Sequence, residues 1–321
     1  MARSWGPRHG VPALDQLAFV LVIVSSVLHV AWNAVLKTAG DPLRTAAVGL
    51  SAAAGLLLPV AAIAWWQAGR PAIPPEAMWL GIASGGLETL YFIFLANAYR
   101  RGDLSVVYPV ARGSATLFAV AAGTLILQER LGPAGWLGVA GLIAGLLLLR
   151  PPWAVLGRVF GRRSPDRSVG APSAAGLAVA TGLIIAAYSA VDRVGVRLIE
   201  PWLYAAILWT SMIAGLWAVI LAARRSARLA HLLHGPEPPR IDAPRAALGG
   251  VMTVVAYMLV LVAFRLAPLT AVAPLRESAV VLASGWGALG LRETSGRRAA
   301  ALRIGAAGLI VAGAILLALD A

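Results

Sequence analysis

Two arginines stand inside apolar stretches of this chain, where a charge needs a chemical reason. Arg112 lies in YPVARGSATLF (108–118), and Arg276 lies in APLRESAVVL (273–282). A guanidinium in the hydrocarbon core of a bilayer costs roughly 2.5–3.5 kcal/mol, so it normally lines a cavity or has a partner. Its planar fork of donors suits a carboxylate or a phosphonate. The pair therefore predicts an anion-binding site; the alternative is that each arginine pairs with a glutamate and only holds helices together.

Ionisable groups at similar depth are the candidates for proton coupling. Glu88 lies in the middle of another apolar stretch, GGLETLYF, and Glu277 directly follows Arg276. His29 lies in the first apolar stretch. Acids and histidines within spans often belong to proton relays. We predict Glu88, Glu277 and His29 as proton-coupling groups; a salt bridge or helix packing is the alternative for Glu88, and hydrogen-bonded packing for His29.

Aromatic and amide side chains near these charges are predicted to shape a substrate cavity. His29, Trp32, Asn33 and Lys37 share one helical stripe, because residues three or four apart lie on neighbouring turns. We expect Trp32 and Asn33 to face the cavity with Tyr188 opposite, and Lys37 to extend to the membrane interface. Further cavity candidates, for which belt or packing roles are equally consistent, are Tyr91, Tyr108, Trp209 and Tyr257.

The composition places these residues in a membrane. The chain has 321 residues, of which 60% are hydrophobic and 13% charged, whereas about a quarter of the residues in a soluble domain are charged. The net charge of +13 lies in loops between apolar blocks, which fits a surface of anionic lipid and not nucleic acid. The chain has no cysteine, which excludes disulfides, thiol catalysis and cysteine-ligated zinc.

The apolar blocks are about 20 residues long, the length that a helix needs to cross ~30 Å of hydrocarbon. We therefore predict an all-α integral membrane protein with ten transmembrane helices. The predicted spans are 17–37, 43–66, 76–99, 104–127, 133–150, 174–197, 202–223, 244–266, 269–291 and 297–318. Residues 151–173 and 224–243 contain proline and arginine and are predicted as loops.

The second half of the chain repeats the first. A shift of 164 residues aligns Arg112 with Arg276 and Glu129 with Glu293, with eight identities over positions 112–129. Arginine and glutamate in a consistent order are harder to obtain by chance than alanine or leucine. The chain is therefore predicted to contain two five-helix units, 1–150 and 174–321, joined by 151–173.

An odd number of spans in each unit sends the second unit into the membrane from the opposite side. Such inverted repeats are typical of secondary transporters, which bind substrate near the midplane between the halves. A shift of 165 aligns Pro109 with Pro274, and each proline is predicted to kink its span because it has no N–H donor. Matching interruptions in two halves point to a transport site.

These features resemble the EamA-type transporters of the drug/metabolite transporter superfamily. The resemblance rests on the two repeats, on the WN…K pattern that ends at Lys37, and on residues 108–149. In that segment an early proline precedes a glutamate that closes the span and a glycine-rich helix. The resemblance covers about residues 17–318 and implies a ten-helix transporter of small metabolites.

We therefore expect a secondary transporter of a small metabolite, anionic or amino-acid-like. It would work by alternating access around a cavity of spans 1, 3, 4, 6, 8 and 9, with proton coupling through Glu88. A non-transporting scaffold or a lipid flippase is the alternative. An enzyme is not expected, because no acid pair or metal-ligand cluster has catalytic spacing. No cofactor or metal is expected, and a homodimer is left open.

The inner membrane is the expected location, and the orientation of the chain in it stays open. Apart from Arg112 and Arg276, seven basic residues fall on the side of the N-terminus and eighteen on the other. The positive-inside rule then places both termini outside, whereas the family resemblance implies cytoplasmic termini.

Two further patterns predict structural roles. Glu129 and Glu293 lie 17 residues beyond their arginines, about 25 Å along a helix, and are predicted to cap or to pair with loop arginines. Small-residue spacing predicts close helix packing at Gly138, Gly141, Gly145, Gly305 and Gly308.

Overall fold

The computed structural model describes residues 16–102, 104–149, 174–234, 240–276 and 297–320, and these ranges form an all-helical chain. Its helices are α1 (Gln16–Thr38), α2 (Pro42–Gln67), α3 (Pro75–Arg101), α4 (Leu104–Leu125), α5 (Pro133–Leu149), α6 (Ala174–Leu198), α7 (Pro201–Arg224), α8 (Ala227–His234), α9 (Ala243–Leu266), α10 (Leu269–Leu275) and α11 (Arg297–Asp320).

The lengths and apolarity of these helices make the chain a multi-pass membrane protein. Among the described residues, six helices are long and apolar enough to cross a membrane: α1, α2, α3, α6, α7 and α9. Shorter apolar helical segments are Val110–Leu125, Pro133–Gly145 and Ile304–Leu317. Every predicted span except the ninth coincides with a helix to within about two residues, and the ninth begins as α10 before it leaves the described residues.

Local sequence signals set where the helices begin. Proline is the first residue of α2, α3, α5 and α7, a position where its missing N–H is not needed. The carboxylate of Asp41 caps α2 by accepting a hydrogen bond of 2.9 Å from the backbone N–H of Arg44. Asp242 caps α9 in the same way through the N–H of Arg245.

One predicted loop contains a helix. Residues 224–243 include α8, so the prediction of an irregular connection is wrong there. The segment is amphipathic: Leu233 and His234 are buried, whereas Leu232 is half-exposed. The backbone carbonyl of Leu232 accepts a hydrogen bond from the Arg100 guanidinium at the end of α3. The predicted loop 151–173 lies outside the described residues.

The two halves of the chain pack against each other along most of their length. Among the described helices, the six pairs with the most extensive contact all join a helix of the first half (α1–α5) to a helix of the second half (α6–α11). These pairs are α5–α11, α3–α6, α1–α9, α4–α6, α3–α7 and α2–α9. The surface between the halves is therefore where a buried site can form.

Glycines allow the closest of these contacts. A Cβ at Gly49 of α2 would stand 2.2 Å from the carbonyl oxygen of Ala246 in α9, and one at Gly85 of α3 would stand 2.6 Å from that of Leu208 in α7. Gly138, Gly141 and Gly145 of α5 lie against α11, as predicted. The prediction for Gly305 and Gly308 is not supported by the described residues: no described atom lies within 4 Å of either Cβ position, and α11 presents Gly313 to α5.

Filling the α2–α9 contact should destabilise the fold. We expect Gly49→Ala to lower the unfolding free energy by about 1–3 kcal/mol, because the new methyl group would overlap backbone and not a flexible side chain. The measurement is thermal unfolding of the purified protein in detergent. Gly55→Ala is the matched control, because Gly55 lies in the same helix and no atom of the described residues lies within 4 Å of its Cβ position. Equal melting temperatures for the two variants would contradict the close contact.

Candidate functional site

A cavity lies between α1, α3, α4, α6 and α10, and it collects most of the predicted site residues. The space left open inside it is small, about 10 Å³. Its lining residues are His29, Asn33, Tyr91, Leu95, Tyr108, Ala111, Arg112, Thr181, Ile185, Tyr188 and Arg276. The structure therefore brings together seven residues that the sequence analysis selects from positions far apart in the chain.

The two arginines enter this cavity from opposite halves of the chain. Arg112 of α4 and Arg276, directly after α10, are both buried, with 7% and 3% of their surfaces exposed. The Arg276 guanidinium lies over the ring of Tyr257 at 5.6 Å and contacts the hydroxyl of Tyr188. Its Nε and Nη2 atoms find no acceptor among the described residues. Donors of this kind are available to an anion that enters the cavity.

The prolines that precede these arginines occupy different helical settings. Pro109 lies inside α4, which continues as helix to Leu125, and Pro274 is the penultimate residue of α10, just before Arg276. Of the other predicted residues, Glu277 and Glu293 lie outside the described residues.

His29 is held in one orientation by its own helix. Its Nδ1 lies 2.9 Å from the backbone carbonyl oxygen of Ser25, which only an N–H can satisfy. The Ser25 hydroxyl is itself directed to the carbonyl of Ala256 in α9, 2.7 Å away. In the neutral imidazole the remaining nitrogen, Nε2, is then an acceptor.

Asn33 and Lys37 tie α1 to the end of α3. The amide of Asn33 donates to the carbonyl of His29 at 2.7 Å and accepts from the Tyr99 hydroxyl at 2.7 Å. Lys37 Nζ donates to the carbonyls of Tyr99 at 2.7 Å and Gly102 at 3.1 Å. The carbonyls at the C-terminal end of α3 thus bind the Lys37 ammonium group, and its predicted extension to the membrane interface stays a prediction.

Two predicted aromatic residues lie elsewhere. Trp32 points to the opposite side of α1, where it packs on Phe92 at 5.7 Å and borders a separate small hollow against α2 and α9. Trp209 borders an apolar groove between α2, α7 and α9. Neither residue lines the cavity that contains the arginines.

A fully buried acid that the sequence analysis did not select lies behind this cavity. Asp192 of α6 has no exposed surface. One carboxylate oxygen accepts a hydrogen bond of 2.8 Å from the Tyr204 hydroxyl, and the other accepts from the Tyr257 hydroxyl. In the sequence, Asp192 is marked only by being an acid in the apolar run AAYSAVD (186–192). Because an arginine follows it, Asp192 resembles a charged residue at the end of a membrane span.

Three tyrosines connect the cavity to this acid. The ring of Tyr91 meets that of Tyr188 edge-on at 5.9 Å, and Tyr188 meets Tyr257 edge-on at 5.8 Å. Glu88, one turn before Tyr91 on α3, is buried and interacts electrostatically with Asp192 and Arg276. The predicted coupling acid thus lies beside the cavity, though it is not among the residues that line it.

Two other polar contacts fix the ends of helices. Glu129 accepts hydrogen bonds of 3.0 and 2.9 Å from the backbone N–H groups of Leu269 and Thr270, so it caps α10 from the other half of the chain. The prediction that Glu129 caps is confirmed. His234 contacts Asp41 at 3.0 Å. In the part of the chain that the structure describes, no three histidines or acids are grouped closely enough to hold a metal ion.

Removing the Asp192 carboxylate should weaken the fold more than removing one of its donors. Asp192→Ala leaves two buried tyrosine hydroxyls without their acceptor, at about 1–3 kcal/mol each. Tyr204→Phe is the control, because it deletes one hydroxyl and leaves the Tyr257 bond intact. Thermal unfolding in detergent should rank wild type, Tyr204→Phe and Asp192→Ala in that order, and an Asp192→Ala protein as stable as wild type would contradict the network.

Known proteins that are similar to this chain include membrane transporters. The model of the EamA-like transporter family matches residues 16–150. An uncharacterized transporter in the cobO 3' region of Sinorhizobium sp. is 38% identical over 91 residues, which are 28% of this chain and 62% of that protein. The spermidine export protein MdtI of Yersinia enterocolitica is 36% identical over 73 residues, 23% of this chain and 67% of the exporter. MdtI of Salmonella newport is 36% identical over 70 residues, 22% of this chain and 64% of that protein.

A solved crystal structure shares the fold over nearly the whole chain. It superposes with a TM-score of 0.58 over 95% of this chain and 98% of the other, at 21% sequence identity. The matched regions of the curated relatives span about two thirds of their length or slightly less. The family match, the identity to MdtI and the helical fold lead to one conclusion: this chain belongs to the EamA-like transporter family, a family of transport proteins and not of enzymes.

Proposed function

We propose that this chain is a secondary transporter that moves a small anionic or amino-acid-like metabolite across the inner membrane by alternating access. The observation that carries the proposal is the convergence of Arg112 and Arg276, one from each half, on one buried cavity. A fixed charge is costly in a bilayer unless a partner or substrate balances it. Two such charges facing one space favour a substrate with an acidic group.

We propose that the architecture is ten helices in two inverted five-helix repeats. Matched helix contacts support it: α3 packs on α6 and α7, and α9, five spans later, packs on α1 and α2. Matched polar contacts also support it. Lys37 donates to the carbonyl of Tyr99, and Arg193 donates to that of Phe264, the residue 165 positions after Tyr99. Transport sites of inverted-repeat proteins lie at the interface between the repeats.

The character of the cavity distinguishes this chain from the spermidine exporters that it resembles. A polyamine carries positive charges, and its binding site needs carboxylates or aromatic faces. Among the described lining residues, the formal charges are two arginines and there is no acid. We therefore propose an anionic group on the substrate, such as a carboxylate or a phosphonate.

A lipid flippase or a non-transporting scaffold is the second candidate, and one feature favours the flippase. A groove of about 220 Å³ between α2, α7 and α9 is lined entirely by apolar and aromatic side chains, among them Leu57, Val254 and Met258. Such a groove suits an acyl chain. It contains neither arginine, so a substrate bound there would respond to different substitutions. For either function, we propose the inner membrane as the location of this chain.

Binding of an acidic ligand should depend on both arginines. We expect small carboxylates or alkylphosphonates to raise the melting temperature of the wild type, since a ligand at a hundred times its Kd adds about 2.7 kcal/mol to the stability of the folded state. Arg112→Gln and Arg276→Gln should lose that response, and Arg245→Gln, at an exposed position, should keep it. If neutral or cationic compounds stabilise all four proteins alike, the arginines are scaffold and the anion proposal fails.

Proton coupling is proposed to involve Glu88. We expect Glu88→Gln to remove the pH dependence of transport in proteoliposomes, because the amide cannot exchange a proton while it keeps the size of the carboxyl group. The exposed acid Glu200, which pairs with Arg265 at 2.6 Å, provides the control substitution Glu200→Gln. Transport with unchanged pH dependence in Glu88→Gln would refute the assignment.

A further inference from the structure

Two buried acids lie near each other on neighbouring helices. Asp192 of α6 accepts hydrogen bonds from Tyr204 and Tyr257, and Glu88 lies on α3, which packs on α6 and brings it close enough to act electrostatically on Asp192. Both acids are buried, with 0% and 6% of their surfaces exposed. Two carboxylates so close together in a medium of low polarity repel each other strongly when both are ionised.

Arg276 is the cation that balances this pair. Among the described residues, it is the basic group that acts on both acids. Its guanidinium lies over the ring of Tyr257, whose hydroxyl donates to Asp192. The same guanidinium faces the cavity, where its Nε and Nη2 have no acceptor among the described residues. Arg276 therefore stands between the cavity and the acid pair.

We propose that Glu88 and Asp192 form one proton-carrying pair, and that an anion bound to Arg276 makes this pair take up a proton from water. The inference deepens the proposed function and rests on it, because the anion in question is the transported substrate. The step transfers a proton from hydronium in the surrounding water: one O–H bond breaks there, one forms on a carboxylate oxygen, and no bond of the substrate changes. It predicts that proton and anion move in the same direction.

The charge balance of the buried centre supports this direction. Arg276 is the described cation that acts on both acids, and a monoanion bound to it would cancel that stabilising charge. Two ionised carboxylates without it are costly far from water. One proton on the acid pair removes their mutual repulsion. Because linkage is reciprocal, a proton on the pair must strengthen anion binding by the same factor.

The described groups that face the pair come from several helices. They are Ser84 and Tyr91 of α3, Tyr188 of α6, Tyr204 of α7, Tyr257 of α9 and Arg276 after α10. Arg112 of α4 acts on His29, Tyr91 and Tyr188, which lie on the cavity side. The two arginines therefore have different relations to the acids, and this difference provides a control.

The test is infrared spectroscopy of the protonated carboxyl band in purified protein. Removing the Arg276 charge imitates its neutralisation by an anion, so Arg276→Gln should show a stronger band than the wild type at the same pH, by about one carboxyl per chain. The increase should disappear when Arg276→Gln is combined with Glu88→Gln or with Asp192→Asn. Arg112→Gln should leave the band near its wild-type intensity. Each variant is first shown to be folded by thermal unfolding.

A second arm uses methylphosphonate on the wild type, which should produce the same increase without any substitution. An unchanged band in Arg276→Gln overturns the acid pair, and so does an equal increase in Arg112→Gln. An increase in Arg276→Gln with no effect of methylphosphonate or of small carboxylates would overturn the anion-binding function and leave the acid pair standing. The two failures are therefore distinguishable.

Discussion

The mutual neutralisation of buried charges is the constraint on which the centre of this protein depends. Two arginines and two acids lie where water is scarce, and each is costly there unless its neighbours compensate it. Among the described residues, tyrosines supply part of this compensation. Asp192 is held by tyrosine hydroxyls, and Arg276 lies on a tyrosine ring. The tyrosine hydroxyls supply hydrogen bonds to the Asp192 carboxylate, and N–H donors of Arg276 stay available to a ligand.

This centre exists only because the two halves of the chain interleave. The most extensive helix contacts join one half to the other, and glycines such as Gly49 and Gly85 allow backbones to approach closely at these contacts. Hydrogen bonds at helix ends also join helices at the edges of this centre: Lys37 bonds to the end of α3, Arg193 to the end of α9, and Glu129 to the start of α10. In the proposed alternating access, the halves rock about the cavity. Opening either side would then require some of these helix-end hydrogen bonds to break.

Much of this arrangement can be predicted from the amino-acid sequence, because the length of an apolar stretch and the depth of a charged residue within it can be read along the chain. The apolar stretches predict the helices, and the repeat of Arg112 at Arg276 predicts two residues that line one cavity. The sequence does not show which residues of other helices each side chain contacts. Trp32 and Asn33 are adjacent in sequence but face different hollows. Gly305 fits the small-residue pattern, yet the rotation of α11 turns it away from α5.

The same limit explains Asp192, the most informative residue that was not selected. A lone acid beside an arginine near a helix end is usually solvated, and only the packing of α7 and α9 around α6 shows that tyrosines enclose it. Helix α8 was missed for a related reason. Its eight residues are too few for periodicity to outweigh the flanking proline and arginine, and its burial depends on contacts with α7 and α3.

The central claim is that one cavity between the halves opens alternately to the two sides and binds an anion. The chain has no cysteine, so Thr181→Cys, at a fully buried position in the cavity lining, would carry the only thiol. The most direct measurement is the reaction of this thiol with a membrane-impermeant reagent applied to either face of oriented vesicles. The account predicts labelling from both faces and protection by an acidic ligand from both. Labelling from one face only, or labelling that no anion slows, would contradict it.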